Sequence, residues 1–140
     1  MSVKPDAYKF LLGFDYRTDP KVMGPLPLKE WNQAPPMPGI YEIGLGATKF
    51  TFVPRYFGKA VRQTLRQRLH QHHLRSSNTN VESNKPNCFF TCRPIQGGPT
   101  QRIVINNIEG LYLIAFCEQY IWNARQEWIQ HWSVENASDT

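Results

Sequence analysis

The sequence lacks any apolar run that approaches the roughly 18 residues needed to span a bilayer. It is also short of acidic residues, with 11 Asp and Glu against 16 Lys and Arg, which gives a formal net charge of +5. A basic balance favours partners that carry phosphate, either nucleic acid or an acidic membrane surface. Neither end shows a basic helix with a broad apolar face, so the sequence favours nucleic acid and no membrane.

Cysteine is scarce, with Cys88, Cys92 and Cys117 alone in 140 residues. Three cysteines cannot pair completely, so we expect a reducing compartment in which all three are small buried side chains. The first residues include an early acid and no long apolar core, which predicts no signal peptide. The expected location is therefore cytoplasmic, and the protein is not expected to be secreted.

The chain shows no internal repeat and no low-complexity tract, and its length suits one domain. Residues 1–37 are rich in proline and hold little periodicity, which predicts an arm that packs on the domain or reaches towards a partner. Residues 38–132 carry the regular patterns and form the predicted core. Residues 133–140 are polar and predict a frayed tail.

Three strands and two helices are predicted in the core. GIYEIGL and KFTFVPRYFGKA predict a hairpin, and NCFFTCRPI predicts a third strand. Apolar residues at four-residue spacing predict a helix over 61–74, and a longer helix is predicted near 109–132. The expected fold class is α/β of the α+β kind, a small three-stranded, mainly antiparallel sheet flanked by helices.

Two tyrosines, an arginine and a histidine fall within this first part of the core. Tyr41 and Tyr56 belong to the hairpin strands, and Arg68 and His72 lie four apart on one helix face. These groups suit chemistry on a phosphate, because guanidinium matches phosphate geometry and imidazole moves protons near neutral pH. The plain alternatives are core tyrosines and a surface arginine.

The tripeptides Gly39-Ile40-Tyr41 and Tyr56-Phe57-Gly58 carry a resemblance. With the segments LRQRLHQH and AFCEQYIW that follow, they resemble the GIY-YIG nucleases, metal-dependent enzymes that cut phosphodiester bonds in DNA. The first tripeptide matches without change, and the second has Phe in place of Ile. Arg68 and His72 match an arginine and histidine four apart in several restriction-enzyme members. The resemblance covers roughly residues 38–132.

The resemblance implies the GIY-YIG fold and hydrolysis of DNA with Mg²⁺ or Mn²⁺, held by Glu118. It implies that Tyr41 accepts the proton of the attacking water, that Tyr56 holds the water or the phosphate, and that His72 relays the proton. Because an ordinary tyrosine has a pKa near 10, Tyr41 needs nearby cations to lower that pKa, and the candidates are Lys59, Arg68 and the metal. The implied catalytic residues are Tyr41, Tyr56, Arg68, His72 and Glu118, with Lys59, Gly39 and Gly58 in support.

Two features depart from the family pattern. The interval between Tyr41 and Tyr56 exceeds that of the most compact members, which predicts an enlarged hairpin. The family also carries an asparagine about a dozen residues beyond the glutamate. Gln130 occupies that place here, whereas Asn123 comes early and Asn136 late, so the sequence leaves this supporting residue open.

The remaining polar residues predict contacts with nucleic acid. The polar loop at 75–87 is predicted to read base edges through residues such as Asn78, Asn80 and Asn84, although a connection without a role fits it equally well. A zinc site is disfavoured, because adjacent histidines at 70–73 point to different helix faces and no cysteine pair has finger spacing. The residues predicted to follow a DNA backbone are Arg62, Arg66, Arg75 and Lys85.

Through the pair Arg68 and His72, the resemblance implies a compact restriction-type enzyme that cuts double-stranded DNA at defined sites. Such members often act as homodimers, because two active sites must address two strands. Two alternatives stay open: a structure-specific or nicking nuclease acting on branched DNA or RNA, and an inactive nucleic-acid-binding module of the same fold. The intact candidate residues argue against the inactive module.

Overall fold

A hairpin forms one side of the sheet in the structure, a computed structural model that describes Tyr16 and residues 18–123. Its two strands run antiparallel, with Tyr41 opposite Gly58 and Ile43 opposite Tyr56. Two further antiparallel strands extend the sheet on the side of the first hairpin strand. The strands are β1 (Met23–Pro27), β2 (Gly39–Leu45), β3 (Val53–Ala60) and β4 (Cys88–Pro94), in the sheet order β1-β4-β2-β3.

Helices flank this sheet. They are α1 (Leu65–Arg75), α2 (Thr79–Ser83) and α3 (Gln101–Ala115), with 3₁₀ turns at Leu28–Gln33 and Lys85–Asn87. The predicted α+β class, an antiparallel sheet with flanking helices, is therefore confirmed. Within the described part of the chain, no helix is both long enough and apolar enough to cross a membrane.

The prediction of three strands is wrong, because β1 adds a fourth. Its sequence, MGPLP, does not predict a strand, because proline cannot donate a hydrogen bond to a neighbouring strand. The strand lies at the edge of the sheet, where proline is tolerated, and its register against β4 shifts between Met23 and Leu26. Leu28 and Ala34 follow it into the core, so this part of the predicted arm belongs to the folded domain.

The two faces of the sheet carry different side chains, because successive strand residues point to opposite sides. The face towards α1, here called the α1 face, holds Tyr41 and Tyr56 with Leu65 and Leu69 of the helix. The opposite face, called the α3 face, holds a second core cluster that includes Phe57. The other members of that cluster are Tyr16, Ile40, Ile95, Ile105, Ile108, Tyr112, Leu113 and Tyr120.

Helix α1 begins at Leu65, later than the predicted residue 61. The Thr64 side chain accepts the backbone N–H of Gln67 at 3.1 Å, and the Gln67 side chain accepts the backbone N–H of Thr64 at 2.9 Å. This reciprocal capping box fixes the helix start. From this start, helical spacing places Leu65, Leu69 and His72 on one face, and all three are buried.

Helix α3 lies earlier in the chain than the predicted helix at 109–132. The first turns contain the β-branched run Ile103-Val104-Ile105, and β-branched residues do not favour a helix in sequence-based prediction. Ile105, Ile108 and Tyr112 nevertheless recur at helical spacing and are buried. The helix ends at Ala115, and residues 124–132 of the predicted helix lie outside the described residues.

The cysteines are free, as predicted, but they are not all buried. Burial raises the pKa of Cys88 to about 11 and that of Cys92 to about 12. Cys117 is exposed, because it falls in the turn after α3 and not on a helix face. The prediction of three buried thiols is therefore wrong at Cys117.

Candidate active site

Four of the five predicted catalytic side chains meet on the α1 face. The Tyr41 hydroxyl lies 2.8 Å from Nε2 of His72 and accepts a hydrogen bond of 3.2 Å from Nε of Arg68. Tyr56 packs beside them, with ring centroids 6.1 Å from Tyr41 and 5.5 Å from His72. The hairpin therefore supplies two phenols, and α1 supplies a cation and an imidazole, to one cluster.

His72 is held neutral inside this cluster. Its side chain is buried, and burial followed by the nearby Arg68 charge lowers its pKa to about 3. Its Nδ1 lies 2.7 Å from the Ser76 hydroxyl oxygen, which also accepts the backbone N–H of Asn78 at 3.1 Å. A neutral ring carries one proton, so one ring nitrogen is a hydrogen-bond acceptor.

Tyr41 is also held neutral. Burial raises its pKa well above the ordinary value, the neighbouring Tyr56 raises it further, and Arg68 opposes both to a smaller extent. Lys59 does not join the cluster, because it lies on the α3 face and contacts Glu109 at 3.0 Å and Asn106 at 2.8 Å. The expectation that Lys59 lowers the pKa of Tyr41 is therefore wrong, whereas Arg68 does lower that pKa but is outweighed by burial.

Arg68 is oriented by contacts on both sides. Beyond Tyr41, its Nη1 donates to Gln71 at 3.1 Å, and Gln71 donates to Gln63 at 2.7 Å. Burial lowers the pKa of Arg68, but the phenol oxygens of Tyr41 and Tyr56 outweigh that effect and leave the pKa raised. The guanidinium is thus a permanent charge beside two phenol oxygens.

No protein-family model and no curated protein matches this chain. Two solved structures match it, both point mutants of the GIY-YIG N-terminal endonuclease domain of UvrC from Thermotoga maritima, bound to its catalytic divalent cation. They are 21% and 20% identical to the chain, each with a TM-score of 0.45. Each match covers 74% of this chain and 100% of the other. The chain is similar to GIY-YIG endonuclease domains.

The glycines of the two GIY-YIG tripeptides have distinct packing roles. The Tyr41 ring crosses directly over Gly58, where an added Cβ would overlap the ring and its hydroxyl. At Gly39 an added Cβ would overlap the carbonyl of Arg93 and come within 2.9 Å of the Leu65 side chain. Gly58 therefore makes room for Tyr41, and Gly39 allows close packing of β2 against β4 and α1.

Glu118, the candidate metal ligand of the GIY-YIG resemblance, lies apart from a helix. It is exposed in the turn that follows α3. Among the residues that the structure describes, no three His, Cys, Asp or Glu side chains come together to hold a metal. One exposed carboxylate still fits Mg²⁺, which keeps several waters and binds through one or two carboxylates and substrate phosphate.

The chain after α3 turns back to the edge of β3. The backbone N–H of Trp122 donates to the carbonyl of Arg55 at 2.8 Å. The Asn123 amide accepts the N–H of Phe57 at 2.8 Å and donates to its carbonyl at 2.9 Å. Of the three candidates for the supporting residue, Asn123 thus contacts the second GIY-YIG tripeptide, and Gln130 and Asn136 lie outside the described residues.

The four basic residues predicted to contact DNA fall into two pairs. Arg62 and Arg75 are exposed. Arg66 donates through Nε to the carbonyl of Ala34 at 2.9 Å, which ties α1 to the N-terminal segment. Lys85 contacts Glu82 at 2.6 Å and donates to the carbonyl of Leu74 at 3.1 Å, near the end of α1. Arg66 and Lys85 therefore have structural contacts of their own.

Sequence reasoning missed Ser76, which contacts His72. A signal was present, because Ser76 lies four residues beyond His72 and such residues share a helix face. The loop at 75–87 was also underestimated, since it contains α2 and a 3₁₀ turn. Asn78 caps α2 by accepting the N–H groups of Asn80 and Val81, both at 3.1 Å.

The neutral burial of His72 predicts an acid-sensitive fold. Its pKa of about 3 lies below the ordinary 6.5, so the unfolded chain binds the proton first as the pH falls. His72 therefore contributes full stability above pH 6.5 and loses it progressively towards pH 3, by on the order of 1.4 kcal/mol per pH unit.

The measurement is the free energy of unfolding in urea at pH 6.5 and 4.5. The wild type should lose roughly 2–3 kcal/mol that His72→Gln does not lose. His73→Gln, at a half-buried histidine outside the cluster, is the control and should follow the wild type. Equal losses in wild type and His72→Gln would show that His72 is not buried as a neutral ring.

Proposed function

We propose that this protein is a metal-dependent endonuclease of the GIY-YIG type that hydrolyses phosphodiester bonds in DNA. The observation that carries the proposal is the hydrogen-bonded cluster in which Tyr41 lies between Arg68 and His72. A core tyrosine needs neither a guanidinium nor an imidazole on its hydroxyl. Phosphodiester hydrolysis needs both a proton acceptor and a cation, and the cluster supplies them in contact.

The cluster supports a coupled proton transfer. Tyr41 has a raised pKa, so a free tyrosinate is disfavoured. Tyr41 would give its own proton to Nε2 of His72 while the attacking water, which has to reach the buried hydroxyl past Tyr56, gives a proton to the Tyr41 oxygen. That direction requires the tautomer in which Nδ1 donates to Ser76. Burial and the Arg68 charge lower the pKa of His72, so a protonated ring is disfavoured in this step.

Arg68 and Tyr56 serve the phosphate in this mechanism. Arg68 stabilises negative charge that develops on the phosphoryl oxygens, because its charge is fixed in a half-buried site. Tyr56 is 8% exposed and is a hydrogen-bond partner of both Arg68 and Tyr41. It therefore joins the buried proton-transfer pair to the surface at which a phosphate arrives.

Glu118 would hold the divalent cation, Mg²⁺ or Mn²⁺. When bound, the cation supplies charge neutralisation at the phosphate and acidifies water. Glu109 is a second candidate, because its position before Asn123 is nearer to the family interval than that of Glu118. Glu109 is, however, already engaged by Lys59 at 3.0 Å. We therefore propose Glu118 as the ligand and use Glu109 as its matched control.

The test is incubation of the purified protein with supercoiled plasmid and Mg²⁺, with and without EDTA. We expect cleavage in the presence of Mg²⁺ and none with EDTA. Glu118→Gln should slow cleavage about 100-fold or more, whereas Glu109→Gln should cleave at close to the wild-type rate. The reverse pattern would assign the metal to Glu109. Intact plasmid under all conditions, with DNA binding retained in a gel shift, would favour an inactive binding module.

The products of the same reaction test the finer proposal. We propose restriction-type cutting of double-stranded DNA by a homodimer, supported by the Arg68 and His72 pair on α1. Discrete fragments of defined length would support cutting at defined sites. Nicked circles without discrete fragments would support a structure-specific or nicking nuclease instead. Sedimentation of the active species would give the number of chains.

A further inference from the structure

A groove of about 400 Å³ opens beside Tyr56 on the surface of the domain. One wall is the segment at 77–80 that leads into α2, and the other is the segment at 121–123 that follows α3. Pockets that take small molecules span about 300–1,000 Å³, so the groove is large enough for a nucleoside. Its lining residues are Tyr56, Ser77, Asn78, Thr79, Asn80, Ile121, Trp122 and Asn123.

The two walls are joined and fixed by side-chain amides. Asn78 donates through Nδ2 to the carbonyl of Trp122 at 2.8 Å, which ties one wall to the other. Asn123 binds the backbone of Phe57 through both ends of its amide, which ties the second wall to β3. The groove therefore keeps its shape through a rigid frame, and ligand binding requires little ordering of the protein.

The hydrogen bonds distinguish the asparagines with a structural role from those that can contact a ligand. Asn78 uses its carbonyl oxygen to cap α2 and its amide nitrogen to hold Trp122. Asn84 donates to the carbonyl of Asn80 at 2.8 Å. Of the three asparagines predicted to read base edges, Asn80 is exposed and lines the groove.

The walls differ in chemistry. Trp122 and Ile121 form an apolar side, and Ile121 is 58% exposed. Ser77, Thr79 and Asn80, whose side chains carry hydroxyls and an amide, lie on the other wall and are exposed. Among the described residues that line the groove, none is charged. An apolar plate facing amide and hydroxyl groups suits a nucleobase, which stacks on its face and hydrogen-bonds along its edge.

We infer that this groove binds the nucleobase adjacent to the phosphate held at Tyr56, with Trp122 and Ile121 against its face and Thr79 and Asn80 at its edge. The inference rests on the proposed function, because Tyr56 marks the phosphate position. In this arrangement, residues at the start of α2 select the base that lies next to the cut. The charged phosphate stays with Arg68, outside the uncharged groove.

The first test measures cleavage of a short duplex that contains a mapped cut site. Asn80→Ala should lower the rate about 10-fold or more and weaken the preference at the adjacent base. An abasic nucleotide at that position should slow cleavage by the wild type by a similar factor. It should slow cleavage by Asn80→Ala only a little more than the substitution already does. Asn32→Ala, at an exposed asparagine on the N-terminal 3₁₀ turn, is the control and should match the wild type.

The inference would be overturned if the abasic nucleotide slowed the wild type and Asn80→Ala by the same factor. It would also be overturned if Asn80→Ala kept the wild-type rate and base preference.

A second test needs no catalysis. The indole N–H resonance of Trp122, assigned with Trp122→Phe, is followed by NMR during titration with deoxydinucleotides that carry each base. We expect a saturable shift in wild type that Asn80→Ala weakens. A shift without plasmid cleavage would keep the groove while the proposed nuclease fails. Cleavage without any shift would remove the groove and keep the nuclease.

Discussion

Arg68→Lys should slow phosphodiester cleavage by about 100- to 1,000-fold while the fold stays intact. Lysine keeps the charge but presents one ammonium group in place of a planar fork. Arg68 contacts Tyr41 and Gln71 through different nitrogens, and it must also serve the phosphate. A single ammonium cannot keep this geometry, so both the proton-transfer pair and the charge on the phosphate should suffer.

The measurement is the single-turnover cleavage rate, with thermal unfolding as the check on folding. Arg102→Lys is the matched control, because Arg102 is exposed on α3, away from the cluster. Tyr41→Phe, alone and combined with Arg68→Lys, completes a double-mutant cycle. Because the two side chains share a hydrogen bond, their effects on the rate should be less than additive. A normal rate in Arg68→Lys would remove Arg68 from the mechanism, and full additivity would show that Arg68 and Tyr41 act independently of each other.

Gly58→Ala should lower the free energy of unfolding by about 1–3 kcal/mol and abolish most cleavage. The added methyl group would occupy the space of the Tyr41 ring, which has no exposed surface and cannot move into solvent. Displacement of the ring would break the contacts of its hydroxyl with Arg68 and His72. One methyl group should therefore damage both stability and chemistry.

Gly97→Ala is the control for this change. It adds the same methyl group to an exposed loop, where nothing lies within 4 Å of the new atom. Urea unfolding and the single-turnover rate should both stay near wild-type values. A Gly58→Ala protein with normal stability and normal cleavage would show that Tyr41 does not need its observed position.

The arrangement on the α1 face was largely predictable, because it depends on local periodicity. Alternation along β2 and β3 sets the side of the sheet on which each tyrosine lies. Four-residue spacing sets Arg68 and His72 on one helix face. Only the pairing of Ile43 with Tyr56 had to be supplied by the hairpin itself.

The elements that sequence reasoning missed depend on contacts between distant residues. β1 exists because β4 offers it an edge, although its prolines disfavour a strand. The path after α3 depends on the contacts of Trp122 with Arg55 and of Asn123 with Phe57. No local sequence pattern predicts these contacts. The position of Glu118 follows from that path.

The pKa of Tyr41 was misjudged for a related reason. Lys59 and Arg68 were expected to lie close to Tyr41 in the fold, and cations lower the pKa of a phenol. Burial acts in the opposite direction and is the larger effect here. Lys59 is near Tyr41 through strand pairing but lies on the other side of the sheet.

The contact of Asn123 with Phe57 has a consequence for assembly. β3 is an edge strand, and an edge strand with unpaired backbone groups is a template for another chain, including the first layer of an aggregate. The Asn123 amide and the N–H of Trp122 occupy backbone groups on that edge. At the opposite edge, β1 carries prolines and a shifted register. Both edges, as far as the structure describes them, therefore resist strand addition, so the homodimer proposed above would join through side chains and not through one continuous sheet.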